Sequence, residues 1–117
     1  LCAGVDAVHK KSYTPADPRM LRAEEYIMLH FREQDCLAAL YQSERISRRQ
    51  FDELFKKRFD TTPARYITLQ KIEYAKQLLG MPHLSIMEVA ERSGFSDVYY
   101  FSKVFKQICD VPPSKWK

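Results

Sequence analysis

Six basic and two acidic side chains crowd the stretch from Arg45 to Arg58, an excess of positive charge equal to the net +4 of the whole chain. Charge gathered in one place favours a polyanionic partner, because binding releases the counterions that the partner has condensed. A second group, Val98, Tyr99, Ser102, Lys103 and Lys106, follows helical spacing. These side chains donate hydrogen bonds and make apolar contacts; none is a nucleophile with a base beside it. His9, His30 and His83 have no ligand or catalytic partner at a telling distance, so each reads as a surface or packing histidine. No CxxC, HExxH, GxxxxGK[ST] or GxSxG pattern occurs, and the standard spacings for zinc, phosphate and nucleophile sites are missing. Cys2, Cys36 and Cys109 are odd in number and far apart. They fit reduced thiols in a cytoplasm better than a disulfide framework. No enzyme activity and no cofactor is expected.

The elements that carry these groups are helices. The 117 residues are 45% hydrophobic and 29% charged with three glycines and six prolines, a composition that favours a helical globular fold over a turn-rich β fold. No apolar run approaches the ~18 residues of a membrane span. Residues 1–16 read as a linker or the tail of a missing amino-terminal domain. The opening Leu-Cys-Ala, without a methionine, points to a fragment of a longer protein. Asp17-Pro18 starts a first helix that runs to about Arg32, with Glu24 a polar exception on its apolar face. Asp35 caps a short second helix. Ser47 with Gln50 forms a capping box for a third, whose buried face is Phe51, Leu54, Phe55 and Phe59. Thr62-Pro63 opens a fourth helix, from 63 to 79, which Gly80 and Pro82 stop. Ser85 with Glu88 opens a fifth. A sixth starts at Ser96 or Asp97 and buries Phe101, Val104, Phe105 and Ile108. Pro113 starts a short seventh.

The pattern returns after fifty residues. Phe51, Leu54, Phe55, Lys56, Asp60, Pro63, Arg65 and Tyr66 meet Phe101, Val104, Phe105, Lys106, Asp110, Pro113, Lys115 and Trp116. Upstream, Leu37, Leu40, Ile46 and Ser47 meet Ile86, Val89, Phe95 and Ser96 one residue earlier. Amphipathic helices share apolar spacing by chance, but not the later acid, proline, basic and aromatic positions as well. Each copy is a short helix, a tight turn and a longer helix, which is the helix-turn-helix pattern. Gly94 suits a turn position with positive φ. Arg45 stands at the equivalent place in the first copy, whose turn must take another shape or carry strain. The expected fold is all-α, with two helix-turn-helix subdomains (17–62 and 81–117) joined by a long linking helix (63–80).

Residues 86–116, IMEVAERSGFSDVYYFSKVFKQICDVPPSKW, closely resemble the signature of the AraC/XylS transcription regulators. Residues 35–79 look like that family's first helix-turn-helix and linking helix. The resemblance implies sequence-specific binding of double-stranded DNA, with two recognition helices in successive major grooves. It also implies an effector-binding or dimerising domain elsewhere in the protein, and a polymerase contact wherever such a protein activates. By the family pattern Val98, Tyr99, Ser102 and Lys103 face bases and Lys106 faces a phosphate. On the third helix the outward residues are Arg48, Arg49, Asp52 and Glu53, with Lys56 toward phosphate. Arg48–Asp52 and Arg49–Glu53 are both spaced to pair along the helix. Glu53 departs from the family, which commonly has a basic residue there. An acid can only accept, and the cytosine amino group is its usual partner. The helix starts at Ser47, Ser85 and Ser96 offer backbone N–H groups to phosphates, although capping alone would also select serine. Two rivals stand beside DNA binding. One is a module that binds an acidic protein through the basic third helix. The other is a cysteine-based enzyme, since some DNA-repair proteins join this module to an alkyl-accepting domain.

Overall fold

A computed structural model describes residues 17–116, so the amino-terminal tail expected at 1–16 lies outside the described residues. Seven helices follow in order: α1 (Pro18–His30), α2 (Cys36–Gln42), α3 (Arg48–Phe59), α4 (Pro63–Leu79), α5 (Ile86–Arg92), α6 (Val98–Cys109) and α7 (Pro113–Trp116). The described residues are all-helical, two helix-turn-helix units on either side of the long α4.

Local chemistry explains most of the boundaries. Asp17 takes the backbone N–H of Arg19, Ser47 that of Gln50 and Thr62 that of Arg65, each satisfying a donor that the helix start leaves free. Ser85 and Glu88 form the complete reciprocal box. Asp35 makes no side-chain cap bond, and α1 stops two residues short of the expected Arg32. Gly80 closes α4 with φ of −74°; no left-handed turn is used there, and Pro82 is what forbids further helix.

Two separate cores form. Met20, Ala23, Ile27, Cys36, Leu40, Phe51, Phe55 and Ile67 make the first. Ile72, Ala75, Leu78, Leu79, Leu84, Val89, Ala90, Phe95, Phe101, Val104 and Phe105 make the second. Helix α4 thus gives its first half to one core and its second half to the other. The radius of gyration is 16.8 Å, against about 13 Å for a single compact globule of this size. The excess is what two lobes side by side produce. Glu24, the polar exception on α1, accepts from the Tyr66 hydroxyl at 3.3 Å, so it bonds α1 to α4.

The sequence repeat is a repeated helix-ending device. Asp60 and Asp110 both adopt left-handed backbone, with φ of 64° and 68°. Their N–H groups close the last turns of α3 and α6 on Lys56 and Lys106 carbonyls at 2.7 and 2.8 Å. Pro63 and Pro113 then start the next helices. Tyr66 sits edge-on to Phe55 at 5.4 Å, and Trp116 edge-on to Phe105 at 5.7 Å. The paired acids, prolines and aromatics therefore have a shared physical cause.

Candidate nucleic-acid interface

The two turns differ in the way the sequence requires. Gly94 has φ of 100°, while Arg45 is absent from the positive-φ residues, so the first turn takes another backbone shape. Phe95 is buried between α5 and α6, 5.0 Å from the Phe101 ring. Ser93 donates from inside the turn to the Val89 carbonyl at 2.6 Å. These contacts hold α6 at one angle to α5.

Helix α6 begins with Asp97 as its cap, whose carboxylate accepts from the Tyr99 N–H at 2.9 Å. Ser96 lies one residue before the cap, so the expectation that its position offers free helical N–H groups to phosphate is corrected. A carboxylate, not a serine hydroxyl, stands at this helix start. Val98 is half-buried and packs against the second core. Tyr99 is 82% exposed, Lys103 and Lys106 are exposed, and Ser102 is half-buried beside them. Tyr100, not among the expected residues, is 55% exposed, its ring 6.2 Å from Phe95. A signal for it was available: Asp97, Lys103 and Gln107 on one side of it along the helix are polar, although Val104 on the other is buried.

On α3, Arg49 and Glu53 form the expected ion pair at 3.5 Å, with side chains 89% and 67% exposed. Such a pair is worth a few tenths of a kcal/mol. The expected Arg48–Asp52 pair does not form. The Arg48 guanidinium lies 4.5 Å over the Tyr41 ring, and the Tyr41 hydroxyl donates to Asp52 at 2.5 Å. Burial, then the Asp52 hydrogen bond, pushes the Tyr41 phenol above its ordinary range, which keeps it a donor. Asp52 is half-buried and bonds α3 to α2, so its placement as a base-facing group is corrected. Glu53 remains as the exposed acid on this face. Lys56 is exposed near the end of α3, with Lys57 and Arg58 beside it.

Ser47 and Ser85 use their hydroxyls to cap. At Ser85 the backbone N–H is taken by Glu88, whose carboxyl is held below its ordinary range chiefly by that hydrogen bond. A phosphate there would meet a carboxylate, which corrects the Ser85 expectation. Burial raises the thiols of Cys36 and Cys109 above the usual cysteine range; a reactive cysteine needs the opposite shift. Among the described residues, no group of three or more His, Cys, Asp or Glu side chains is placed to hold a metal, and no helix is long and apolar enough to cross a membrane.

Two helix-turn-helix units, each leaving one face of its second helix exposed, define the class of protein that this fold represents. A family model described as a helix-turn-helix domain matches residues 40–117. The HTH-type transcriptional regulator GbdR of Pseudomonas aeruginosa is 38% identical over 68 residues, which are 58% of this chain and 18% of that protein. The arabinose operon regulatory protein of Escherichia coli is 28% identical over 97% of this chain and 39% of its own length. The carboxy-terminal domain of AraT, a response regulator from Geobacillus stearothermophilus, superposes with a TM-score of 0.81 at 29% identity, over 88% of this chain and 86% of that one. The chain belongs to the AraC/XylS family of bacterial helix-turn-helix transcription regulators, not to a family of enzymes. It spans well under half the length of these two full-length relatives.

Proposed function

We propose that this chain binds double-stranded DNA sequence-specifically, setting α3 and α6 into successive major grooves. The observation that carries the proposal is the exposed face of α6. Tyr99 at 82% exposure and Tyr100 at 55% are costly to leave in water and stand beside Lys103. In a major groove Lys103 donates to guanine O6 or N7, the tyrosines meet thymine methyls, and Ser102 serves either kind of base. Lys106 neutralises a phosphate further along. On α3, Arg48 and Arg49 donate to bases or phosphates, Lys56 to phosphate, and Ser47 marks a helix start that points N–H groups outward. Glu53 can only accept, and the cytosine amino group is the usual partner of a carboxylate, so the first unit is the weaker or more cytosine-dependent reader.

The dimensions support this use. The molecule is a slab of 44 × 41 × 21 Å, long enough for two helices ~34 Å apart, one turn of DNA. Two readers without twofold symmetry call for a non-palindromic site. The division into units at 17–62 and 81–117 about a linking segment at 63–80 belongs to the same proposal, as does a cytoplasmic location. Effector binding and any polymerase contact are assigned to a longer protein, in keeping with the small share of its relatives that the chain covers.

Selection of bound sequences from random duplex DNA, then footprinting of the winner, tests the proposal. Protection of two adjacent major grooves is expected, and Lys103→Ala is expected to relax base preference in one half only, at a cost of about 1–3 kcal/mol. No enriched sequence, with salt-sensitive capture of an acidic polypeptide instead, would establish the interaction-module alternative.

A further inference from the structure

The loop after α1 touches the turn of the second unit, sixty residues away in the chain. A Cβ at Gly94 would lie 2.8 Å from both the Cα and the carbonyl oxygen of Arg32. The Gln34 side-chain amide donates to the Gly94 carbonyl at 2.9 Å. Around this contact, the Arg32 guanidinium sits 5.0 Å over the Tyr74 ring and donates to its hydroxyl at 3.2 Å. Phe31 meets the same ring edge-on at 5.9 Å. Lys71, from the middle of α4, places its ammonium 5.4 Å over Phe95, the residue that fills the second turn. The seam therefore joins the first lobe, α4 and the turn that aims α6.

A single connecting helix is an incomplete ruler. It fixes separation along its axis, but each lobe can still rock about the half of the helix on which it packs. Rocking is removed by a second contact off that axis, and the Arg32–Gly94 contact is one, made backbone to backbone with no side chain between. We propose that the seam between residues 31–35 and the Gly94 turn fixes the angle between α3 and α6, with Gln34 as its positioning residue. Gln34 is outside both recognition helices, so it selects the spacing between half-sites without reading a base. This deepens the two-groove reading above and rests on it.

The test uses Gln34→Ala, which removes one hydrogen bond and leaves both cores intact, and Gly94→Ala, which forces a Cβ against Arg32 at a positive φ. Residual dipolar couplings are measured on the free chain, and affinities on three duplexes: the selected site, one half of it, and the site with one base pair inserted between halves. The parent is expected to fit a single alignment tensor over both lobes and Gln34→Ala to need two. Gln34→Ala is expected to bind the full site about five- to tenfold more weakly and the half-site as the parent does, with a smaller penalty for the inserted pair. Equal losses on the full site and the half-site would overturn the proposal, as would a single shared tensor in Gln34→Ala. Gly94→Ala, if folded, should exceed Gln34→Ala in loss of full-site affinity and in departure from a single tensor; parent-like behaviour in both would overturn the proposal too. Should the parent protect no paired grooves, the two-groove reading fails, while the couplings still decide whether the seam orients the lobes.

Discussion

Glu53 gives α3 its unusual outer face. Its carboxylate is exposed and, among the described residues, paired with Arg49 at 3.5 Å, in a stretch that otherwise concentrates the positive charge of the chain. An acid at a groove-facing position repels phosphate and occupies an arginine that could donate. Glu53→Arg is expected to raise affinity for mixed-sequence DNA at low salt by roughly 3- to 10-fold and to steepen the salt slope by about one phosphate contact. Titrations at several salt concentrations check this, and unchanged affinity would place Glu53 away from the duplex. Spacing alone puts Glu53 and Arg49 on the helix surface, where the structure also has them. Asp52 and Val98 escape it. Both fall on the outward face by helical geometry, yet Asp52 accepts from Tyr41 on a neighbouring helix and Val98 is half-buried against the second core. A helical wheel shows where a Cβ points, and it is silent on what another element brings to that point.

The elements end where local chemistry ends them. The left-handed aspartates at positions 60 and 110 release the chain from α3 and α6 so that a proline can start the next helix. Left-handed backbone costs a β-branched residue about 1–2 kcal/mol. Asp110→Val is therefore expected to lower unfolding stability by about that amount, and Asp110→Gly to be tolerated or mildly stabilising, as urea denaturation will show. A loss from Asp110→Gly equal to that from Asp110→Val would mean that the carboxylate, not the backbone, holds this corner. This much of the fold was legible in the sequence, since caps, prolines and apolar spacing act within a few residues. The repeat was legible too, because the same device is used twice. The end of α1 was not. Its pattern runs on to Phe31 and Arg32, but those residues turn toward Tyr74 on α4.

Two lobes share α4, Ile67 entering one core and Ile72 through Leu79 the other. One residue inserted between Ile67 and Ile72 would rotate one lobe against the other by ~100°. It would also pull Lys71 and Tyr74 out of register with the seam. Such a variant is expected to keep its helical content by circular dichroism and to protect one groove instead of two. Normal protection of both would show that α4 and the seam do not set the spacing.

From the sequence alone came the helices, the duplicated turns, the charge concentrated on α3 and the family signature. Each is written in residues near one another along the chain, where capping, periodicity and backbone preference operate. The tertiary structure decided which outward positions stay outward, and that Gly94 abuts Arg32 as well as taking a positive φ. Those outcomes depend on pairs such as Gln34 and Gly94, far apart along the chain, and local spacing carries no information about what packing brings together.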